Sequence, residues 1–345
     1  RYWYEFDLRR ALDAYQRRSS EFNVNVRVGR QFVDWAGGLA LSEALYAVKP
    51  TVEFDRRNRL EALVGITPDH TADFDASRLN YNTRTRRFYA GALLAHDFER
   101  GDEVFAYALA MRDKASEDRA RAGFNNVDFY RDSNYYGLGM KGAMGDNWLY
   151  YAEAVLQRGR SASDPLFGLQ SRDELTAWAA RFQLTYVLRD EGDTRFQFEL
   201  LAASGDDDRR VGNDTVGGNF PGTEDNAFAA LSYAFTGTAF APALTNLLSL
   251  RVGAATFPWR TSDTFHDLQV GADVITSFKV SQRGAIEEPT NPDAYLGTEA
   301  DVYANWRVTS DLTLTGRYGI FVPGSGIAEP NDNRHFIYLG VTLSF

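Results

Sequence analysis

Residues 297–321 read GTEADVYANWRVTSDLTLTGRYGIF. Ala300, Val302, Ala304 and Trp306 take one parity, and Glu299, Asp301 and Asn305 take the other. Thr309-Ser310-Asp311 breaks the pattern, which resumes with Leu312, Leu314, Tyr318 and Ile320 on one side and Arg317 opposite. A period of two places alternate side chains on opposite faces of a strand, and a short polar break between two such runs is a hairpin turn. The stretch therefore predicts two long antiparallel strands with one apolar and one polar face.

The same rhythm extends over the chain. Period-two runs occur at 22–29, 47–55, 87–98, 103–112, 148–157, 177–188, 194–202, 247–257 and 335–345. The whole sequence reads as about fifteen strands of roughly 9–12 residues, the length that a tilted transmembrane strand needs. Short links at 56–58, 99–102, 145–147, 191–194 and 309–311 alternate with long polar loops at 68–83, 113–131, 159–173, 205–225, 258–294 and 323–334. Within 258–294, DLQVGADVITSFKV reads either as an extra strand or as a folded-in hairpin. Short turns at one end and long loops at the other are the asymmetry of outer-membrane barrels. The polar parity carries charge in almost every strand, so it predicts a wet lumen with the apolar parity meeting lipid. A sheet in hydrocarbon must then close, because open edges leave backbone groups unpaired. The expected fold is all-β, a transmembrane antiparallel β-barrel in a single domain over 1–345, in the bacterial outer membrane.

Composition agrees. Of 345 residues 14% are aromatic, yet mean hydropathy is −0.38, as expected of a sheet with one aromatic-rich face. There is no cysteine, which excludes disulfides and cysteine-based metal sites. A net charge of −10 argues against a nucleic-acid partner, and no run of about 18 apolar residues marks a membrane helix. The chain starts inside strand-like RYWYEF, from which further strands and a signal sequence are expected upstream. It ends in Phe345 on the apolar face of its last strand, as outer-membrane proteins commonly do.

By parity the lumen receives Glu5, Asp7, Arg9, Arg27, Lys49, Glu53, Arg59, Glu61, Arg87, Lys141, Glu153, Arg181, Arg195, Glu199, Arg251, Glu299, Asp301 and Arg317. Such residues form either a selectivity zone or cross-strand ion pairs that stiffen the wall. Trp3 and Phe321 share that parity and are the candidates for stacking on a sugar. Tyr2, Tyr4, Trp148, Trp178 and Trp306 lie on apolar faces and suit an interfacial girdle. Strict alternation aims Arg30 at lipid, at a cost of about 2–4 kcal/mol near mid-bilayer. It predicts a bulge near Gly29 or a position close to the interface. Gly137, Gly139 and Gly142 spell a dinucleotide fingerprint, but a turn and another strand follow where that motif needs a helix. Asp206, Asp207 and Asp208 are a weak cation candidate without EF-hand spacing. The four histidines are far apart, no nucleophile elbow is present, and neither a cofactor nor an enzymatic role is indicated.

One stretch carries more than rhythm. YLGTEADVYANWRVTSDLTLTGRYGIFVPG (295–324) resembles the C-terminal region of the alginate-export family of outer-membrane porins. RYWYEFDL (1–8), VRVGRQFVDW (26–35) and FPWR (257–260) are similar to further family stretches in the right order. The resemblance implies an eighteen-stranded barrel in the intact protein, of which about fifteen strands stand here. It also implies a passive channel for polar or anionic solutes, with export of an anionic alginate-like polysaccharide as the cargo class. In the family an arginine-rich constriction attracts the polyuronate, and Arg317 aligns with one of its arginines. Phe32 stands where another is expected, and 222–231 lacks the arginines expected nearby. The alternative is a plugged barrel that is structural or associated with a complex. Expected partners are the lipid bilayer, lipopolysaccharide, the solute and other envelope proteins.

Overall fold

The computed structural model describes residues 2–17, 20–68, 87–99, 101–114, 120–122, 125–127, 131–164, 170–209, 218–231, 234–284, 286 and 288–344. The strands are β1 (Tyr2–Asp7), β2 (Asn23–Asp34), β3 (Ser42–Glu53), β4 (Asn58–Ile66), β5 (Arg87–Asp97) and β6 (Glu103–Asp113). A short pair follows, β7 (Ala120–Ala122) and β8 (Asn125–Val127), then β9 (Arg131–Met144), β10 (Trp148–Ala162), β11 (Arg172–Leu188) and β12 (Thr194–Ala203). The last are β13 (Leu247–Thr256), β14 (Leu268–Phe278), β15 (Tyr295–Arg307), β16 (Leu312–Pro323) and β17 (Arg334–Leu343). All except β7 and β8 join one 15-stranded antiparallel sheet in chain order, the up-and-down topology of a membrane barrel.

Two sequence expectations change and two open alternatives are decided. The sheet is not closed: β1 and β17 are its two edges. The segment 268–278 is a full strand, so 258–267 lies at the short-turn end and 279–294 at the long-loop end. Leu8–Gln16 forms a helix, α1, capped by the Asp7 carboxylate accepting from the Arg10 amide at 2.9 Å. Arg9 therefore sits on a helix, not a strand. Finally, no bulge occurs at Gly29, because the register of β2 runs unbroken against both β1 and β3. Arg30 stays on the lipid-facing parity, four residues before the long-loop end of β2, opposite Tyr2 and Tyr46. From there its long stem can carry the charge to the interface.

The outer parity exposes Phe182, Phe196, Val252, Val274, Val302, Ile337, Leu339 and Val341. Only lipid can cover such a surface. At the short-turn end Trp148 packs on Tyr186 and Phe265 on Trp306, with centroids 4.7 and 4.9 Å apart. Indole and phenol rings suit the headgroup level because they join an apolar body to a polar edge.

The inner parity is not uniformly wet. Towards the long loops it is filled by a buried apolar cluster of Trp35, Leu45, Leu63, Tyr89, Tyr107, Leu109, Met111, Tyr135, Leu201 and Phe321, with Phe228, Phe240 and Leu244 from a loop. The inner face of β6 shows why alternation alone could not reveal this. It reads Glu103, Phe105, Tyr107, Leu109, Met111, Asp113, charged at its ends and apolar between. Gly137 and Gly139 on β9 are the seats of the Tyr107 and Phe105 rings, which leave no room for a Cβ. The apparent fingerprint is thus a packing device within a strand.

Candidate functional site

Between β12 and β13, the described residues of 204–246 lie across the lumen. A polar backbone inside a barrel needs partners for its amides and carbonyls, and three anchorages supply them. At the β10–β11 wall, Asp225 donates its amide to Glu174 O at 2.8 Å, and the Thr176 amide donates to Asp225 O at 3.0 Å. The Asp225 carboxylate, fully buried, accepts from Ser161 Oγ at 2.8 Å and Arg131 at 3.3 Å on one oxygen. Its other oxygen accepts from the Ala227 amide at 3.1 Å and Arg209 at 3.5 Å. Gln157, also buried, accepts from the Ala229 amide at 3.0 Å, and Tyr135 donates its hydroxyl to Ala229 O at 2.8 Å.

The segment next reaches the β2–β3 connection on the other side of the sheet. There Ser42 donates to Leu231 O, and Leu231 donates to Ala40 O, each at 3.0 Å. It then meets β15 and β16, where Ala239 and Phe240 donate their amides to Glu299 at 2.8 and 2.7 Å, and the Thr238 amide points at the same carboxylate. Thr238 Oγ1 donates to Asp301 at 2.8 Å, and Phe240 stacks on Phe321 with centroids 4.3 Å apart. Glu299, Asp301 and Phe321, read from sequence as facing open lumen, are here covered by the crossing segment and almost fully buried.

Beneath the crossing, towards the short turns, the luminal charges form chains. Glu5 pairs with Arg27 at 3.4 Å, and Arg9 with Glu53 at 2.8 Å. A longer chain runs Lys49–Glu61–Arg59–Glu103–Lys141, with contacts of 2.8–3.3 Å. Asp7 is used as the helix cap and accepts from Asn23. Arg87 opens β5 opposite Asp113. Trp3 carries the Arg27 guanidinium at 4.4 Å from its ring centre and remains half exposed.

A second group follows. Glu199 takes both Arg181, at 3.0 Å, and Arg251, at 2.5 Å. Arg317, one sheet face along, has no carboxylate within salt-bridge distance among the described residues. Its guanidinium lies 5.7 Å from the Tyr303 ring and 6.0 Å from that of Phe235, a residue of the crossing segment. Arg251 approaches the same Phe235 ring at 5.2 Å. Asp273 lies near enough to feel Arg251 and Arg317. Glu153 stands directly opposite Arg181 in register, so the group sets three arginines against Glu153, Glu199 and Asp273, with Arg251 and Arg317 sharing the loop aromatic Phe235.

The aspartates of 206–208 diverge. Asp206 is buried, with one oxygen accepting from the Asp208 amide at 3.0 Å, whereas Asp207 is exposed and accepts from Ser281. Among the described residues no group of three potential ligands is arranged to hold a metal. Burial raises the Asp206 pKa to about 6. Asp225, Arg131, Gln157, Phe235 and Phe240 escaped the sequence reading. Three lie on a segment without periodicity, and the two on strands owe their importance to that segment.

A long-stranded antiparallel sheet with a lipid-facing apolar parity and a charged inner parity defines an outer-membrane channel of the porin type. The sequence profile for alginate export matches residues 68–337. The chain belongs to the alginate export family and resides in the bacterial outer membrane, in contact with the lipid bilayer. No curated protein matches it. Among solved structures it is similar to Pseudomonas aeruginosa OpdK with vanillate, at 13% identity over 94% of this chain and 76% of that one, with a TM-score of 0.53. Pseudomonas aeruginosa OccK10 (OpdN) gives 13% identity, coverage of 95% and 81%, and a TM-score of 0.52. Acinetobacter baumannii OccAB1 gives 12%, coverage of 94% and 74%, and 0.51. At these identities the likeness concerns the fold.

Proposed function

We propose that the channel passes anionic solutes and that its cargo class is a carboxylated oligo- or polysaccharide of the alginate kind. The observation that carries this reading is Arg317, which among the described residues faces the rings of Tyr303 and Phe235 instead of a carboxylate, with Arg251 on the same Phe235 ring. An unpaired cation in a low-dielectric wall focuses potential into the lumen and raises the local concentration of anions. No covalent step is required: selection comes from charge and width. Reversal potentials in a KCl gradient across a planar bilayer test the reading. The wild type should prefer chloride, and Arg317→Ala should reduce that preference. A cation-selective pore indifferent to the substitution would refute it.

The filled outer half of the lumen favours a second reading, a plugged barrel with a structural role. A protein that never conducts, even after the crossing segment is loosened, would establish that alternative.

A further inference from the structure

The crossing segment meets β15 through a contact of unusual chemistry. Three consecutive amides, those of Thr238, Ala239 and Phe240, converge on the single carboxylate of Glu299. Successive N–H groups aimed at one point form a nest, the backbone's own anion site. The approach is close enough that a Cβ on Gly237 would fall 3.0 Å from the Glu299 carboxylate and still nearer to Phe240 O. The neighbouring contacts reinforce it: Thr238 on Asp301 and Phe240 on Phe321, with the Arg334 guanidinium 5.5–5.8 Å from both rings. Among the described residues Glu299 pairs with no cation. Its negative charge is balanced by backbone dipoles that belong to a segment lying across the pore.

We propose that the Thr238–Phe240 nest is a carboxylate-binding site that Glu299 fills when the segment is docked, and that vacating it opens the outer lumen. The wall then acts as a latch and the segment as a gate. A carboxylate on the cargo has the chemistry to take Glu299's place in the nest, and this clause rests on the anionic-solute reading above. The gate itself does not rest on it.

The native chain has no cysteine, so the latch can be locked by design. Thr238→Cys with Asp301→Cys places two thiols on side chains now in hydrogen-bond contact. In single-channel recordings Glu299→Ala should raise the open-to-closed ratio by about tenfold or more, the effect of losing one charge-assisted hydrogen bond. The oxidised double-cysteine protein, with the cross-link confirmed by mass, should stay closed, and reductant should restore openings. Glucuronate should open the wild type at concentrations where glucose does not, and should leave Glu299→Ala unchanged. Equal conductance of the cross-linked and reduced forms, or wild-type gating in Glu299→Ala, would overturn the gate. A wild type insensitive to glucuronate while Glu299→Ala opens would overturn the cargo's part in it. Ion preference, read separately from reversal potentials, reports on the anionic-solute reading alone.

Discussion

Substitution of Asp225 by alanine is the most direct probe of what holds the segment across the lumen. The carboxylate is wholly buried, and its partners Arg131 and Arg209 keep only 5% and 2% of their side-chain surface exposed. Solvent screening is therefore small, and the usual discount for surface ion pairs does not apply. Breaking a buried pair costs about 3–5 kcal/mol, because the abandoned charge has already lost its water. The two arginines share one carboxylate, so their losses do not add. The Ser161 and Ala227 contacts fall within the same figure. The wall strands keep their own ladders, so the penalty lands on docking of the segment and not on the sheet. Hydrogen exchange in a detergent-refolded protein resolves the two. Amides of 225–231 should exchange about 100- to 4,000-fold faster in Asp225→Ala, at about 1.4 kcal/mol per decade. Amides of β10 and β11 away from the anchorage should hardly change. Asp225→Asn, which keeps an acceptor but not the charge, should fall between. A change below about fivefold at 225–231 would refute the claim that this clasp holds the segment.

Two further outcomes follow from the same reasoning. Gly29 has φ +137°, and a Cβ there would meet Tyr2 O at 2.6 Å and Trp3 Cα at 2.7 Å. Gly29→Ala should cost about 1–3 kcal/mol, read as faster exchange of the β1 amides, and unchanged β1 protection would contradict it. Asp206 has a pKa raised by burial to about 6, so the docked loop holds a proton that an undocked one releases. Docking should strengthen as pH falls through 6 and level off below about 4, the ordinary carboxylate range. Asp206→Asn should flatten that dependence and dock more firmly than wild type at pH 7.5 in limited proteolysis. An Asp206→Asn profile parallel to wild type would count against it.

Much of the wall was readable beforehand. Ala300, Val302 and Ala304 face outward and Asp301 inward along β15 because successive side chains of a strand must alternate. The pairs Glu5–Arg27 and Glu199–Arg251, directly opposite in register, were latent in the parity list. What escaped was depth. Leu109 and Glu103 share a face of β6, yet one lies in an apolar cluster and the other in an ion-pair chain. Arg9 was misplaced because DLRRALDAYQ continues a strand-like stretch while carrying the Asp7 cap of a helix.

The sequence by itself therefore determined the class of protein, its sidedness and the face of each strand, since a two-residue period leaves the pleat only one assignment. Only the tertiary structure decided that the outer lumen is filled, that Glu299 and Asp225 serve as anchorages, and that Arg317 meets rings and, among the described residues, no carboxylate. Those facts depend on where an aperiodic segment crosses the pore and on which sequence-distant strands stand beside each other. Neither leaves a local signature in the order of residues.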